Sequence, residues 1–284
     1  MNLRSFVIIF GCWLFLLAST VSLAVSKLKI QGSTTVNPVV SDAAQVFRDK
    51  GWKITVDTQG GSSGGISALG EGLVDIGMSS KPVTEKDRKR FPKVNFVQHT
   101  IGYDGVAVVV SRPVYESGVK KLNREQIQKI YEGKIKNWKQ VGGFDKPIVF
   151  FNKEPGRGTW EVFAKFLYDD TKKAPKVFHP EVGANEEARA KVGSHPSAMT
   201  QLSLSWATDQ EKLAPLAIIN EKNEIIDPTI ESVESGKYPL TRTLFVLTNG
   251  QPKDGTKTFI DYLKTTEGQG LLVKHGYLAV GSKP

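Results

Sequence analysis

The sequence of 284 residues has little of what covalent cross-links and metal sites need: one cysteine and four histidines. The cysteine, Cys12, lies in an apolar N-terminal run, so the rest of the chain has no disulfide and no cysteine-based metal site. The histidines lack metal-ligand spacing. The sequence also has no low-complexity tract and no internal repeat. These absences predict a chain held together by its core, with neither a metal nor a cofactor.

The N-terminus has the features of a secretion signal. Arg4 precedes an apolar run over residues 6–25, which ends in small residues around Ala24. This pattern predicts export, with cleavage near Ala24 and removal of residues 1–24. The alternative is an uncleaved anchor, because the apolar run is almost long enough to span a bilayer.

The charge is one-sided, with 38 Lys and Arg against 29 Asp and Glu and a formal net charge of +9. On an exported protein this excess indicates an anionic partner, although a generally basic surface would give the same total. The lysines are dispersed and no basic run is interleaved with aromatic residues, so nucleic acid is not an expected partner.

Strand-like and helix-like segments alternate from residue 28 onward. "LKIQG" and "KITVDT" are typical of strands, and the segment between them places apolar residues on one helical face: Val39, Val40, Ala43, Ala44 and Phe47. A helix carrying Ile66, Leu69 and Leu73 follows. The second half repeats the alternation, with strands "DGVAVVVS" and "KPIVFFN" and helices "NREQIQKIYEG" and "WEVFAKFLYDD". The alternation predicts an α/β fold with mostly parallel sheets and ligands at the carboxyl ends of the strands.

Three loops between strands and helices share one composition, small hydroxyl residues with glycines. A helix N-terminus offers unpaired N–H donors and a partial positive charge, and Ser or Thr adds hydroxyl donors. Each loop alone is also a normal helix cap or turn. Their convergence on one oxyanion is the sharper hypothesis. The loops are Gly32-Ser33-Thr34-Thr35, Gly60-Gly61-Ser62-Ser63-Gly64-Gly65 and Gly156-Arg157-Gly158-Thr159.

An enzyme is the competing interpretation of the second loop. Residues 60–64 match G-x-S-x-G, the nucleophile elbow of α/β hydrolases, with Ser62 as the nucleophile and His275 as a late histidine. However, the match arises easily in a Gly-Ser run, and no HGGG-like oxyanion loop is present. A hydrolase is therefore the weaker alternative, and we expect no enzymatic activity.

With the loops placed, the sequence resembles the phosphate-binding proteins of high-affinity phosphate ABC importers. The shared motifs run in the same order over nearly the whole mature chain: "QGSTTVNPV", "GGSSGGI", "DIGMSSKPVT", "IGYDGVAVVV", "LNREQIQKIYEGKIKNWKQVGG", "EPGRGTWEVF" and "YPLTRTLFVLT". The resemblance implies a two-lobed periplasmic binding protein fold of type II. Lobe 1 would comprise residues 25–106 and 244–284, and lobe 2 residues 107–243, with crossing strands near Val106–Val110 and Thr243–Leu247.

The same resemblance implies a function and a set of ligand residues. The chain would be a monomer in the periplasm that holds inorganic phosphate in the cleft between its lobes and delivers it to the permease of an ABC transporter. Sulfate, molybdate and tungstate remain alternative ligands. The implied phosphate-binding residues are Ser33, Thr34, Thr35, Ser62, Ser63, Ser79, Ser80, Arg157, Gly158 and Thr159.

The chain departs from the family pattern at three places. Ser80 stands where many members have an aspartate that accepts the proton of hydrogen phosphate, so Asp104 is the best remaining acceptor, with Asp57 behind it. In the third loop Arg157 occupies the usual serine position, and Lys153 stands where arginine is expected; either cation could neutralise phosphate, but only arginine does so bidentately. Late in lobe 2, "PSAMTQLSLSWA" leaves the contribution of Gln201 and Ser203 open.

Overall fold

The computed structural model describes residues 27–207 and 211–282. The predicted signal segment and its cleavage site lie outside these residues. The strands are β1 (Lys27–Gly32), β2 (Lys53–Asp57), β3 (Ile76–Ser79), β4 (Phe96–Ser111), β5 (Lys121–Asn123), β6 (Val149–Lys153), β7 (Glu181–Val182), β8 (Ala198–Ser203), β9 (Leu213–Pro215), β10 (Ala217–Ile219), β11 (Ile225–Ile226) and β12 (Thr241–Asn249).

Helices alternate with most of these strands. They are α1 (Asn37–Arg48), α2 (Gly61–Gly70), α3 (Glu85–Arg90), α4 (Arg112–Glu116), α5 (Arg124–Tyr131), α6 (Gly158–Tyr168), α7 (Asn185–Ser194), α8 (Ile230–Glu234), α9 (Asp254–Lys264) and α10 (Thr266–Lys274). Among the described residues, none of these helices combines the length and the apolar character that crossing a membrane requires.

Local sequence explains where the helices start and which face they bury. The five apolar residues predicted for one face of α1 are all buried. Asn123 caps α5 through its side chain, which accepts the N–H of Gln126, while the Gln126 side chain accepts the N–H of Asn123. The prediction for the second helix was wrong at its end: α2 stops at Gly70, and Leu73 lies beyond it with 61% of its surface exposed.

The main sheet is mixed. Its strand order is β2-β1-β3-β12-β4-β8-β6-β7, with β9 also paired to β4, and β11-β10-β5 form a small second sheet. The pairs β1–β2, β1–β3, β6–β8 and β6–β7 are parallel, as the alternation predicts. The antiparallel pairs include those of β12 with β3 and β4, and of β4 with β8. These pairs arise because β4 and β12 run in opposite directions through the middle of the sheet.

Two strands run between the two largest buried clusters. Residues 96–105 of β4 pair with β12, and residues 106–110 of the same strand pair with β8. One buried cluster draws on residues 106–240 together with Leu278, and a second on residues 28–101 and 244–277. A two-lobed α/β fold is thereby confirmed; the lobe boundaries at 106/107 and 243/244 remain a prediction.

Candidate functional site

A small enclosed cavity lies where the two lobes meet. It is closed by the loop after β1, the first turns of α2, α6 and α7, and the ends of β3 and β6. All three predicted loops contribute to it. Its lining residues are Ser33, Thr34, Thr35, Gly61, Ser62, Ser80, Lys153, Arg157, Gly158, Thr159, Gly183 and Asn185.

The wall contributed by lobe 1, hereafter the hydroxyl wall, consists of Ser33, Thr34, Thr35, Ser62 and Ser80. Ser33 Oγ donates to Ser80 Oγ at 3.1 Å, and Ser62 Oγ lies 3.2 Å from the same oxygen. The backbone N–H of Ser80 donates to Ser62 Oγ at 3.0 Å. All five side chains are buried, and none carries a charge. Because a hydroxyl rotates and both donates and accepts, this wall can re-aim its hydrogen bonds toward an anion.

The wall contributed by lobe 2, hereafter the cationic wall, contains Lys153, Arg157, Gly158, Thr159 and Asn185. Gly158 and Thr159 begin α6, and Asn185 begins α7, so the N-terminal ends of two helices face the cavity. Asn185 Nδ2 donates to Thr35 Oγ1 at 3.1 Å and thus connects the two walls. The cationic wall therefore combines two side-chain charges with helix N-termini.

Its two cations are held differently. Arg157 donates through Nε and Nη2 to Glu154 Oε2, at 2.9 and 2.7 Å. The Lys153 ammonium is almost completely buried and donates to the backbone carbonyls of Gly183 and Ala184, at 2.9 and 2.7 Å. Burial, with Arg157 and Arg242 nearby, lowers the pKa of Lys153 to about 7.

A third cation, Arg242 on β12, contacts both walls. Its Nη2 donates to Thr35 Oγ1 at 3.0 Å, and its Nη1 donates to Thr159 Oγ1 at 2.9 Å and to Ser80 Oγ at 3.3 Å. Its Nε and Nη2 also donate to Asp104 Oδ2, at 2.9 and 2.6 Å. The guanidinium is thus fixed by a buried carboxylate while its other donors contact hydroxyls that line the cavity.

The structure places Asp104 behind Arg242 and outside the cavity lining. Its second oxygen accepts the Ser203 hydroxyl at 3.0 Å, so both carboxylate oxygens have partners within the protein. Burial raises the pKa of Asp104, while Arg242, Ser203 and the backbone N–H of Gly105 act in the opposite direction. In this geometry the Asp104 carboxylate holds Arg242 in place. The role of accepting the ligand's proton stays a prediction.

Glycines at the loops allow the two lobes to touch. A Cβ on Gly158 would lie 2.3 Å from Ser80 Oγ and 2.8 Å from the Ser80 carbonyl oxygen, which belongs to the opposite lobe. A Cβ on Gly61, whose φ is +57°, would lie 2.6 Å from the Arg157 side chain. The sequence pattern indicated glycines that admit an anion to the backbone; here they also admit the other lobe.

Three further predicted residues lie near or beyond the cavity without lining it. Ser63 Oγ donates across the cleft to the Gly156 carbonyl at 2.9 Å, and Ser79 Oγ donates to the Lys81 carbonyl at 2.6 Å. Asp57 is exposed, and its carboxylate accepts the backbone N–H groups of Thr58 and Gln59 in a turn. Ser63 therefore contributes to lobe contact, Ser79 to the local backbone and Asp57 to a turn.

Sequence reasoning missed Arg242 and Asn185. Arg242 is spaced by two residues from Leu240 and Leu244, and Val246 continues the same spacing, so all four share one face of the strand. A charged residue on this apolar face was the available signal. For Asn185, the signal was "GANEEA", a glycine and asparagine followed by two acidic residues, which is typical of a helix start.

The geometry around Ser62 does not build a nucleophile. Its hydroxyl contacts are the backbone N–H and the hydroxyl of Ser80. His275 instead contacts Asp42, with Nε2 at 2.9 Å from Oδ2. A nucleophilic serine needs a base within hydrogen-bond reach, and no histidine of the described residues occupies that position.

Comparisons with known proteins agree over most of the chain. The PBP superfamily domain matches residues 18–267. The phosphate-binding protein PstS of Bacillus subtilis (strain 168) is 30% identical over 259 residues, which are 90% of this chain and 82% of that protein. The phosphate-binding protein PstS of Borreliella burgdorferi is 29% identical over 268 residues, covering 89% of this chain and 90% of its own length.

Solved structures give the same result. A protein from Clostridium perfringens, assigned as a phosphate ABC transporter substrate-binding protein and solved with bound phosphate, has a TM-score of 0.79 at 28% identity, covering 90% of this chain and 100% of its own. An ABC-type phosphate transport receptor from Vibrio cholerae has a TM-score of 0.69 at 28% identity and covers 88% and 99% of the two chains. This chain therefore belongs to the PBP superfamily and, within it, to the PstS phosphate-binding proteins.

Proposed function

We propose that this protein captures inorganic phosphate in the cavity between its lobes and delivers it to the permease of an ABC transporter. The observation that carries the proposal is the convergence of six hydroxyl residues, three helix N-termini and two cations on one small cavity. Relatives that bear the name phosphate-binding protein support it. No chemical step is required, since affinity arises from charge-assisted hydrogen bonds in a closed site.

Capture requires the lobes to move. The cavity measures about 10 Å³, the size of a single water site. A tetrahedral anion therefore needs the lobes to separate, and the mutual hydrogen bonds of Ser33, Ser62 and Ser80 to re-form with the anion. The strands β4 and β12 are the two connections through which such a hinge motion would act.

The proposed function also implies where in the cell the protein acts. The signal-like N-terminus and the extracytoplasmic role of a binding protein together support a periplasmic location. That the chain acts as a monomer is part of the same proposal. Its partner would be the permease of the ABC transporter, which the protein would bind while its lobes are closed around the ligand.

Calorimetry on the mature chain is the direct test of ligand identity. Phosphate and arsenate should bind in the micromolar range or tighter, because they have the same shape and protonation chemistry. Molybdate and sulfate should bind more weakly. Tighter binding of sulfate than of phosphate would refute phosphate as the physiological ligand, and it would favour the alternative of another tetrahedral oxyanion.

A second measurement addresses the hydrolase alternative. A fluorophosphonate probe reacts with activated serines, so labelling of the wild-type protein that disappears in Ser62→Ala would establish a nucleophile. We expect no labelling, since the described residues place no base beside Ser62.

A further inference from the structure

Three cations lie at or next to the cavity, and they differ in whether a carboxylate balances their charge. Arg242 is paired with Asp104, and Arg157 is paired with Glu154. Lys153 has no carboxylate within ion-pair distance among the described residues, and its partners are two neutral carbonyls. When the two ion pairs are each counted as neutral, Lys153 is the cation whose charge is left for a ligand to balance.

The two carbonyl contacts of Lys153 use only part of the hydrogen-bonding capacity of its nitrogen, and the residue lines the cavity. An ammonium has three N–H donors, and the carbonyls of Gly183 and Ala184 take two of them. A neutral amine still has two donors, so the same carbonyls hold the nitrogen in either protonation state. The two protonation states differ in the remaining position on the nitrogen. It carries a third N–H in the ammonium and a lone pair in the neutral amine. Since Lys153 lines the cavity, that change alters what a bound anion meets.

The charged groups around Lys153 come from three segments of the chain. Arg157, ahead of α6, and Arg242, on β12, disfavour its charge, as burial does. Glu186 and Glu187, in the first turn of α7, favour the charge, but Glu187 already accepts the Gly183 N–H at 2.8 Å. Neither glutamate forms an ion pair with the lysine, and burial, with the two arginines, lowers its pKa to about 7.

Among the lining residues of the described chain, Lys153 is also the one group whose charge changes in the physiological range. The other ionisable lining residue is Arg157, which stays protonated, and the rest are hydroxyl, amide or glycine residues. No carboxylate lines the cavity to take up a ligand's proton.

On the basis of the proposed function, we infer that Lys153 takes up a proton from solvent when the anion binds and holds the anion through its third N–H. A bound dianion replaces the missing carboxylate partner and stabilises the ammonium. Binding and protonation therefore become linked equilibria, and each favours the other.

The sign of the pH dependence follows from this linkage. Below about pH 7 Lys153 is already charged in the free protein, so binding takes up little proton from it. Above about pH 7 the free protein holds a neutral amine and the complex holds an ammonium. Affinity should then fall with rising pH, by up to about tenfold per pH unit, until the pKa of the complex is reached.

The test is calorimetry of phosphate binding in pairs of buffers with different ionisation enthalpies, which counts protons taken up. For the wild-type protein we expect clear proton uptake by Lys153 near pH 8 and much less near pH 6. Lys153→Arg, with a permanent charge, and Lys153→Met, with none, should both lose the uptake near pH 8. Lys165→Met on the exposed face of α6 is the matched control and should keep it.

Sulfate is a second ligand for which the number of protons taken up can be measured. Because sulfate does not titrate in this pH range, any proton taken up on its binding belongs to the protein. Wild-type phosphate binding without proton uptake near pH 8 would overturn the inference without any variant. Equal uptake in the wild type and in Lys153→Met would do the same by assigning the proton to another group or to the ligand. An absence of phosphate binding at every pH would instead refute the proposed function.

Discussion

The hydroxyl wall and the cationic wall of the cavity belong to different lobes and differ in chemistry. The hydroxyl wall is neutral, and its side chains bond mainly to one another. The cationic wall carries Lys153 and Arg157, each held by groups of its own lobe. One wall can therefore adapt its hydrogen bonds to the shape of an anion, while the other supplies charge at fixed positions. Arg242 at the hinge belongs to both, since it contacts Thr35 on one wall and Thr159 on the other.

This difference predicts how substitutions should act. Loss of charge on the cationic wall should weaken binding of every oxyanion and change its salt dependence, because the attraction is electrostatic. Loss of a hydroxyl should weaken binding less and should change the preference among anions of different size. The hinge arginine should have the largest effect, since both walls depend on it.

Arg242→Met should abolish measurable phosphate binding, with a loss of about 100-fold or more, and should destabilise the fold. The variant leaves Asp104 buried without its cation, and breaking such a pair costs about 3–5 kcal/mol. Calorimetry and thermal unfolding measure the two effects. The double variant Arg242→Met with Asp104→Leu should recover stability and still fail to bind. Recovery of binding in the double variant would show that Arg242 serves only the fold.

Arg242 also shows where sequence reasoning stopped. Local composition located Ser33, Thr35, Ser62, Gly158 and Thr159, because a helix start with small hydroxyl residues is a short-range pattern. The contacts of Arg242 with these loops span 83 to 207 positions along the chain. No local pattern encodes such a distance.

Asp104 shows the complementary case. It was selected as the best remaining acceptor because Ser80 stands in the aspartate position, but the sequence could not tell which side chains its oxygens contact. Its partners, Ser203 and Arg242, come from β8 and β12, which meet β4 only in the folded sheet.

Arg157→Ala tests the cationic wall and should weaken phosphate binding at least tenfold, which corresponds to about 1.4 kcal/mol. Stability should change little, because the side chain is partly exposed and its partner Glu154 is 44% exposed. Arg124→Ala removes a similar surface ion pair of lobe 2 and is the matched control. Unchanged affinity in Arg157→Ala would assign the charge of this wall to Lys153 alone.

Ser62→Ala tests the hydroxyl wall and should weaken phosphate binding about three- to tenfold, the value of one hydrogen bond of modest net strength. The variant also leaves the buried N–H of Ser80 without its partner. Ser67→Ala is the control in the same helix, since that hydroxyl accepts from Arg90 on the surface. The ratio of phosphate to molybdate affinity should change in Ser62→Ala and stay constant in Arg157→Ala. The same ratio in both variants would contradict the division of labour between the walls.

Glu161→Gln should have the smallest effect, because it touches neither wall and acts only on their closure. Lys81 of lobe 1 and Glu161 on α6 form an ion pair across the cleft at 2.5 Å, with 6% and 25% of the side chains exposed. Gln keeps an oxygen that can accept a hydrogen bond from the nearly buried Lys81 ammonium, so loss of the charge alone should weaken phosphate binding about two- to fivefold. The change should lie in the dissociation rate, measured by stopped-flow, and should shrink as salt is raised. Glu125→Gln removes an exposed pair within α5 and alters net charge equally without crossing the cleft. If both variants release phosphate at the same rate, net charge and not the Lys81–Glu161 contact accounts for the effect, and closure depends on Arg242 and the walls alone.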